Sequence, residues 1–242
     1  MIIFITSSPC LEGEANITEM NGFLTALRAA VPEGARGLFV TAAPDDEGYS
    51  DWCAYSMKNS LEISGLSFSS YALLDRRSAH EAAALVKDSN FIILGGGHTP
   101  TQNAFFQEIN FKALLKGYKG VIMGISAGSM NLAKEVYSHP EEPGEAISPE
   151  YRRFLPGLGL TKYQICPHLQ KVRYNILDGL RLFEDVIFKD SIGNAFYALP
   201  DGSYICQKGK SATLYGEAYL IKDGQMEQIC LNGHHLVLAA KA

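Results

Sequence analysis

The sequence predicts a three-layer α/β protein in which helices cover both faces of a mainly parallel sheet and antiparallel strands extend the C-terminal part. The first half of the chain alternates short apolar runs with segments whose apolar residues recur at the helical period, as in successive β-α units. Runs such as Phe91–Leu94 are apolar throughout, as expected for strands buried on both sides. Tyr204–Leu238 alternates at the strand period, with a tight turn at Lys222-Asp223-Gly224, which predicts an antiparallel meander.

The β-α units can be placed in order along the chain. Strands are predicted where apolar runs end at polar or glycine residues: Ile2–Thr6, Gly37–Thr41, Leu66–Leu73, Phe91–Leu94 and Gly120–Gly124. Helices are predicted where apolar residues recur every three to four positions: Ile17–Ala30, Tyr49–Ile63, Ala79–Lys87 and Thr101–Leu115. Because ligands of such sheets bind beyond the carboxyl ends of the strands, the loops after the fourth and fifth strands are the candidate site.

The pattern is less regular beyond the fifth strand. We predict a helix at Ser129–Val136 and then a surface loop, rich in Pro, Glu and Gly, that lies as a lid over the site at Ser138–Arg153. The remaining predicted elements are a strand at Tyr163–Cys166, a helix at Lys171–Phe183, a strand at Ala195–Leu199 and a turn at Pro200-Asp201-Gly202. Neither a linker nor an internal repeat interrupts the sequence, so we expect one domain over residues 1–242.

Composition argues against several kinds of partner. The net charge is −5 and no Lys/Arg cluster occurs, which disfavours nucleic acid and anionic membranes. No apolar run approaches the roughly 18 residues of a membrane span. The start, MIIFITSSPC, lacks a basic leader and is interpreted as a core strand. The five cysteines are scattered without a C-x-x-C pair, which is typical of reduced thiols and predicts a cytoplasmic protein.

A lone hydroxyl ends the fifth strand, in Gly124-Ile-Ser126-Ala-Gly128. This G-x-S-x-G pattern between an apolar strand and a predicted helix has the form of a nucleophile elbow. The flanking glycines would let strand and helix approach closely, and the helix start would direct N–H groups toward a developing negative charge. The alternative is a glycine-bounded turn with a helix-capping serine.

A serine nucleophile needs a base and a group that orients the base. His168 ends a predicted strand, so it would lie at the same sheet edge as Ser126, with Asp201 as the acid. A second triad would combine Ser126 with Asp201 or Glu184 and with His234 or His235, the order of α/β-hydrolases. Residue pattern alone leaves the two triads open.

Four motifs in order, GGGHT, GISAGS, ICPH and ALPDGS, resemble the peptidase E (aspartyl dipeptidase) and cyanophycinase family of serine peptidases. The resemblance covers roughly residues 1–206 and implies a flavodoxin-like, class I glutamine amidotransferase-like fold. It implies Ser126 as nucleophile, His168 as base and Asp201 as acid. It also implies an oxyanion hole formed by the N–H of Ala127 and those of the glycine loop, Gly96 or Gly97.

The same resemblance carries expectations about the substrate. It implies short peptides, above all dipeptides with N-terminal Asp, bound without metal or cofactor. We expect His98 and Thr99 to contribute to the substrate site, and Arg173, with Lys171 beside it, to meet an acidic side chain. His98 departs from the asparagine usual in peptidase E, and Asp201 is shorter than the usual glutamate. The sequence leaves a homodimer open.

Other functions remain as alternatives. One is an esterase or amidase of the α/β-hydrolase type, and another is a non-catalytic protein that binds a small acidic metabolite on the same fold. Cys166 precedes His168 by two residues and could offer a thiol, although cysteines in strands are commonly buried and inert. The glycine loop lacks a complete nucleotide-binding pattern, and the adjacent His234 and His235 are unsuited to joint metal ligation on a strand.

Overall fold

A computed structural model of the chain, which describes residues 1–238, confirms the predicted fold class. Within these residues the central sheet has eight strands in the order β16-β13-β12-β1-β5-β4-β2-β3. Its parallel part consists of β1 (Ile2–Thr6), β2 (Ala35–Val40), β3 (Phe68–Leu74), β4 (Phe91–Leu94) and β5 (Val121–Ile125). The order β3-β2-β4-β5 is that of flavodoxin-like sheets, with β1 in the fifth position. The last residues of the predicted domain, 239–242, lie outside the described part.

Helices cover the sheet on two faces, because alternate strand residues point to opposite sides. Ile3 and Ile5 of β1 pack on one side, in a cluster with α3 (Ala82–Asp88), α4 (Thr99–Glu108) and α5 (Phe111–Leu114). Phe4 packs on the other side, with α1 (Phe23–Ala30) and α2 (Glu47–Ile63). Short 3₁₀ turns precede α1 and α3, at Met20–Gly22 and Ala79–Glu81. No helix in residues 1–238 is both long and apolar enough to cross a membrane.

The C-terminal strands divide between two sheets instead of forming one meander. β12 (Tyr204–Lys208), β13 (Ser211–Tyr215) and β16 (His235–Leu238) extend the central sheet beyond β1 in antiparallel fashion. A second sheet has the order β15-β14-β11-β8, formed by β8 (Gln164–Cys166), β11 (Ala195–Ala198), β14 (Ala218–Lys222) and β15 (Gln225–Cys230). A third cluster of buried apolar side chains, including Tyr137 and Phe196 with stacked rings, packs under this second sheet.

The predicted helix at Ser129–Val136 is wrong in most of its length. After Ser126 the helix α6 lasts one turn (Ala127–Met130), and Glu135–Tyr137 forms strand β6, paired with β7 (Phe154–Pro156). The helix ends where the buried Asn131 side chain bonds to other segments, with Asn103 Nδ2 donating to its Oδ1 at 2.8 Å. The polar side chain thus fixes the chain in a turn that local apolar spacing does not reveal.

The predicted helix at Lys171–Phe183 is also wrong. Helix α7 covers only Leu169–Val172, and a small hairpin of β9 (Ile176–Leu177) and β10 (Leu180–Arg181) follows. Asp178 and Gly179 form its turn with φ of 53° and 79°, the left-handed values that a two-residue type I′ turn requires. A helical segment resumes only at Leu182–Ile187, with π character, and continues into α8 (Phe188–Asp190). The Asp-Gly pair is the turn signal that the apolar spacing obscured.

Candidate active site

Ser126 lies directly between β5 and α6 in a strained backbone conformation. Its φ of 48° and ψ of −112° are unusual for a residue with a side chain. Such strain persists when the surroundings over-determine it, and it concentrates at functional sites. Here the Ser126 N–H donates to the carbonyls of Thr6 and Ser7 at 3.1 Å, and its carbonyl accepts from Met130 N at 2.9 Å. The turn therefore has the geometry of a nucleophile elbow.

The two glycines beside Ser126 allow the close approach of strand and helix. A Cβ on Gly124 would lie 2.7 Å from Ser129 Cα, and one on Gly128 would lie 2.2 Å from the carbonyl oxygen of Leu94. Both contacts are to backbone atoms, which cannot move aside without displacing β4 or α6. The elbow consequently requires glycine at both positions for packing.

Gly128→Ala is expected to destabilise the protein by about 1–3 kcal/mol, the usual range for overpacking a rigid site. Urea unfolding followed by circular dichroism measures the change. Gly48→Ala is the matched control, since the nearest atom to its added Cβ is Asp46 Oδ1 at 3.9 Å and Gly48 lies in helix α2. The control should be neutral or more stable. Equal stabilities of the two variants would contradict this account of the elbow.

The second sheet brings His168 and Asp201 together. β8 and β11 pair in parallel, so the segments that follow them emerge side by side, and Leu169 N donates to Leu199 O at 3.2 Å. His168 adopts a left-handed conformation with φ of 54° directly after Pro167. Its Nδ1 lies 2.8 Å from Asp201 Oδ1. Because a carboxylate only accepts, this contact places the proton on Nδ1 and leaves Nε2 of a neutral ring as the basic nitrogen.

Two polar residues that the sequence did not single out complete this pair. Ser7, which follows β1 and is fully buried, donates from Oγ to Asp201 Oδ1 at 2.6 Å and accepts from His168 N at 2.7 Å. Gln170 Nε2 donates to Asp201 Oδ2 at 2.6 Å, and Asp201 N donates to Gln170 Oε1 at 3.2 Å. Both carboxylate oxygens of Asp201 are therefore occupied, and its side chain has a fixed orientation.

These contacts set the charge of Asp201. Burial by itself raises the pKa of this carboxyl group, but hydrogen bonds from His168, Ser7 and Gln170 outweigh it, so the pKa lies below its usual value. Asp201 is then ionised at neutral pH and can stabilise an imidazolium on His168. This is the electrostatic role that an acid needs in a serine nucleophile's triad.

Ser126 and His168 open onto one cavity of about 210 Å³. Part of the loop that follows β6 also lies in the cavity wall, namely His139, Pro140 and Glu141. The other residues of the wall are Pro167, Lys171, Val172, Asn175 and Leu182. Among the described residues no direct hydrogen bond joins Ser126 Oγ to His168 Nε2. Catalytic hydrogen bonds are often loose without substrate and tighten when it binds.

The glycine loop after β4 lies against the elbow. A Cβ on Gly96 would be 3.5 Å from Ser126 Cβ, so this backbone passes directly beside the nucleophile. Gly97 has a φ of 144°, and a Cβ there would be 2.8 Å from Ala42 Cβ. Ala127 is the first residue of α6, where backbone N–H groups have no partner within the helix. N–H groups of Ala127 and the glycine loop could thus hold an oxyanion.

The other predicted substrate residues lie outside the cavity wall. The His98 ring is within hydrogen-bond distance of Thr101 Oγ1 (2.7 Å) and Glu145 Oε1 (2.8 Å). Thr99 is fully buried. Arg173 is exposed, with its guanidinium 5.9 Å from the Tyr174 ring centre, whereas its neighbour Lys171 lies in the wall. His98 and Thr99 therefore contact the loop after β6, through Glu145 and Glu141, and do not line the cavity.

One group of side chains has metal-ligand chemistry. Ligand atoms of His98, Glu142 and Glu145 lie within 4.8 Å of one another. Both ring nitrogens of His98 already have hydrogen-bond partners, and Glu145 Oε2 accepts from the backbone N–H groups of Glu141 and Glu142 at 2.8 and 2.9 Å. These hydrogen bonds explain why the three side chains lie together, since they connect the glycine loop to the loop after β6.

Cys166, the alternative nucleophile, and His234 and His235, the alternative bases, do not lie where catalysis at this site requires them. Burial raises the pKa of the Cys166 thiol to about 12, so it is protonated at neutral pH. His235 lies on the edge strand β16 and His234 in the turn before it, and neither belongs to the cavity wall beside Ser126. Of the two triads that the sequence allowed, the one with His168 has its base and its acid in contact, with His168 Nδ1 and Asp201 Oδ1 2.8 Å apart.

Known proteins are similar to this chain in sequence and in fold. The sequence matches the profile of peptidase family S51 over residues 3–215. The crystal structure of a peptidase from an acI-B1 Actinobacterium superposes with a TM-score of 0.69 at 17% identity, over 98% of this chain and 96% of that one. A putative peptidase E protein from Listeria monocytogenes EGD-e superposes with a TM-score of 0.60 at 16% identity, over 95% and 98%. These two likenesses concern the fold. No curated protein matches the sequence.

Proposed function

Since the chain belongs to peptidase family S51, as its motifs predicted, and is a serine-type peptidase, we propose that it hydrolyses short peptides through Ser126, His168 and Asp201. The observation that carries the proposal is the His168 Nδ1–Asp201 Oδ1 contact of 2.8 Å at the edge of a cavity that His168 shares with Ser126. It supplies the oriented base that the strained serine needs.

The proposed reaction is acyl transfer. Ser126 Oγ attacks the scissile carbonyl carbon while His168 Nε2 takes its proton, and the carbonyl oxygen becomes an oxyanion. N–H groups of Ala127 and of Gly96 or Gly97 stabilise this charge, and each such donor is worth about 2.7–4 kcal/mol of barrier. Collapse breaks the C–N bond, and His168 Nε2–H protonates the leaving amine. Water then attacks the acyl-enzyme with His168 as base, which releases the acid and restores Ser126.

The size of the cavity favours short substrates, and Lys171, the lysine in its wall, suggests that these substrates carry a negative charge. About 210 Å³ accommodates one or two residues, not an extended polypeptide. Lys171 Nζ lies 3.3 Å from Glu12 Oε2, and both side chains are mostly exposed. Because exposed ion pairs contribute little free energy, Lys171 can exchange this partner for a substrate carboxylate. We therefore propose N-terminal Asp dipeptides as substrates, with Lys171 in place of Arg173 as the cation.

A panel of Asp-, Glu-, Asn- and Leu-initiated dipeptides tests this proposal by release of free amine. Asp dipeptides are expected to have the highest kcat/KM, and Lys171→Ala should raise KM for them about tenfold, the scale of one charge-assisted hydrogen bond, while changing Asn dipeptides little. Lys116→Ala, between α5 and β5 and outside the cavity wall, is the control. Equal kcat/KM across the panel would refute the Asp preference without touching the peptidase reaction.

Ser7→Ala is expected to lower kcat about ten- to a hundredfold with little change in KM, because a hydrogen bond to a charged group is worth about 1.5–3 kcal/mol. The variant removes the donor to Asp201 and the acceptor for His168 N. Ser8→Ala is the control: within residues 1–238 Ser8 Oγ forms hydrogen bonds only with Cys10, whose carbonyl accepts from it at 2.6 Å. Steady-state kinetics of both variants measure the effect. An unchanged kcat in Ser7→Ala would show that the acid and base are held without it.

A further inference from the structure

We infer that Glu141 and His139 form a subsite for an ammonium group of the substrate, beside the nucleophile. The inference rests on the proposed peptidase function and names a chemical feature that its substrates share. Both residues lie in the wall of the cavity that contains Ser126, and both belong to the loop between β6 and β7. Nothing in the sequence pattern singled them out.

His139 is a buried residue of the cavity wall with an unpaired ring nitrogen. The residue is only 3% exposed, and its Nε2 has no hydrogen-bond partner among the described residues. Its Nδ1 lies 3.3 Å from the carbonyl oxygen of Pro140. Since a carbonyl only accepts, Nδ1 carries a hydrogen, and Nε2 of the neutral ring is a lone-pair acceptor. Buried polar atoms are rarely left unpaired, so a ligand donor is the expected partner.

Glu141 adds a negative charge without a cationic side chain to balance it. Thr99 Oγ1 donates to Glu141 Oε1 at 3.4 Å, and within residues 1–238 no Lys or Arg forms an ion pair with this carboxylate. Burial raises the pKa of Glu141; the other titratable groups that act on it are His139, His98 and Glu145. A partly buried carboxylate such as Glu141 is stabilised in its ionised form by a nearby cation, and a substrate ammonium would supply one.

The loop holds both acceptors in place before any ligand arrives. Glu145 Oε2 accepts from Glu141 N, and Tyr151 Oη donates to His139 O at 3.2 Å. Asp178, in the turn of the β9–β10 hairpin, accepts from the backbone N–H groups of Gly144 and Ala146 at 2.7 and 3.0 Å. A ligand therefore does not have to order this segment, which lowers the entropic cost of binding.

The chemistry of the pair selects a donor-rich cation. An ammonium group has three N–H donors and one positive charge, which match an anionic and a neutral acceptor. A carboxylate or phosphate would meet repulsion from Glu141. The ammonium can come from the free amino terminus of the residue whose carbonyl is attacked, or from a lysine side chain at that residue. The small cavity places either one close to Ser126 Oγ.

The test compares dipeptides that carry an ammonium group at the amino terminus, on the side chain or at neither place. Wild type is assayed with Asp-Leu, N-acetyl-Asp-Leu and N-acetyl-Lys-Leu, following release of leucine. A free amino terminus as the ligand predicts that acetylation lowers kcat/KM at least a hundredfold. A side-chain ammonium instead predicts that N-acetyl-Lys-Leu is cleaved well. Comparable kcat/KM for Asp-Leu and N-acetyl-Asp-Leu, with no advantage for the lysine peptide, would overturn the subsite and leave the peptidase reaction intact.

Variants assign the effect to the two residues. Glu141→Gln should lower kcat/KM ten- to a hundredfold more for the ammonium substrate than for the substrate without ammonium, so that the preference disappears. His139→Phe should reduce the same preference less. Glu150→Gln, in the exposed part of the same loop, is the control. A Glu141→Gln variant that loses activity equally on all substrates would contradict the inference, because a general structural defect does not discriminate between them.

Binding to Ser126→Ala protein separates the subsite from catalysis. Calorimetric titration with Asp-Leu, N-acetyl-Asp-Leu and N-acetyl-Lys-Leu needs no turnover, so it remains decisive even if wild type hydrolyses none of them and the proposed function fails. Tighter binding of an ammonium-bearing peptide, lost in the Ser126→Ala, Glu141→Gln double variant, supports the subsite. Equal binding of all three peptides, or binding of none, overturns it.

Discussion

Ser126→Ala is expected to lower kcat/KM for peptide hydrolysis by about 10³-fold or more, the scale for loss of a triad nucleophile. The substitution removes the attacking oxygen and leaves the oxyanion donors and the cavity in place. Within residues 1–238 no side chain or backbone group forms a hydrogen bond with Ser126 Oγ, and alanine carries the same backbone strain at this turn. The melting temperature should therefore stay close to that of wild type, and release of free amine from the best dipeptide measures the loss.

Ser8→Ala controls for the removal of a hydroxyl at the same sheet edge and should keep full activity. A fluorophosphonate, which labels activated serines, should modify wild type once and should not modify Ser126→Ala. Retention of wild-type activity by Ser126→Ala would exclude this residue as the nucleophile, whatever the geometry of the elbow. Loss of activity together with a large drop in melting temperature would instead show that Ser126 is needed for folding.

Asp201→Asn is expected to lower kcat by about 10⁴-fold, the effect of the same change in a serine protease triad. Asp201 Oδ1 accepts from His168 Nδ1 at 2.8 Å and from Ser7 Oγ at 2.6 Å. An amide that donates to Nδ1 would move the ring proton to Nε2, where it blocks the uptake of the Ser126 proton. Steady-state kinetics near pH 7.5 measure the loss. Asp223→Asn, at an exposed turn where Oδ1 accepts from Gly193 N, is the control.

The same variant should change acid stability in a defined direction. The folded-state pKa of Asp201 lies below its ordinary value, so its carboxylate stabilises the fold above the unfolded-state pKa of about 3.9. That contribution is lost as pH falls through the folded-state pKa. The difference in unfolding free energy between wild type and Asp201→Asn should thus shrink as pH falls below about 4. A difference that grows between about pH 4 and about pH 2 would contradict the lowered pKa.

The sequence predicted well those features that follow from local pattern. β1 and β4 have the predicted bounds, because their runs are apolar and buried on both faces. The elbow was recognisable because a strand, two glycines and a helix start are consecutive in sequence. The β9–β10 hairpin was missed although its Asp178-Gly179 turn is a local signal, since the surrounding apolar spacing imitates a helix.

Features that depend on distant segments could not be predicted in the same way. Ser7 lies 161 residues from His168, and a serine after a strand has no distinguishing local context. Glu141 and His139 occur in a polar loop, where nothing in the spacing indicates that the two residues line a cavity. Lys171 and Arg173 are two positions apart, and only the short α7 helix decides that Lys171 lies in the wall.

The proposed nucleophile and its partners belong to different sheets. The central sheet presents Ser126, while the second sheet presents His168 and Asp201 after the parallel strands β8 and β11. Ser7 spans the junction, since its carbonyl accepts from Ser126 N and its hydroxyl contacts both other residues. Catalytic turnover therefore depends on how the two sheets pack against each other. A change in their relative position would abolish activity even if each sheet kept its own hydrogen bonds.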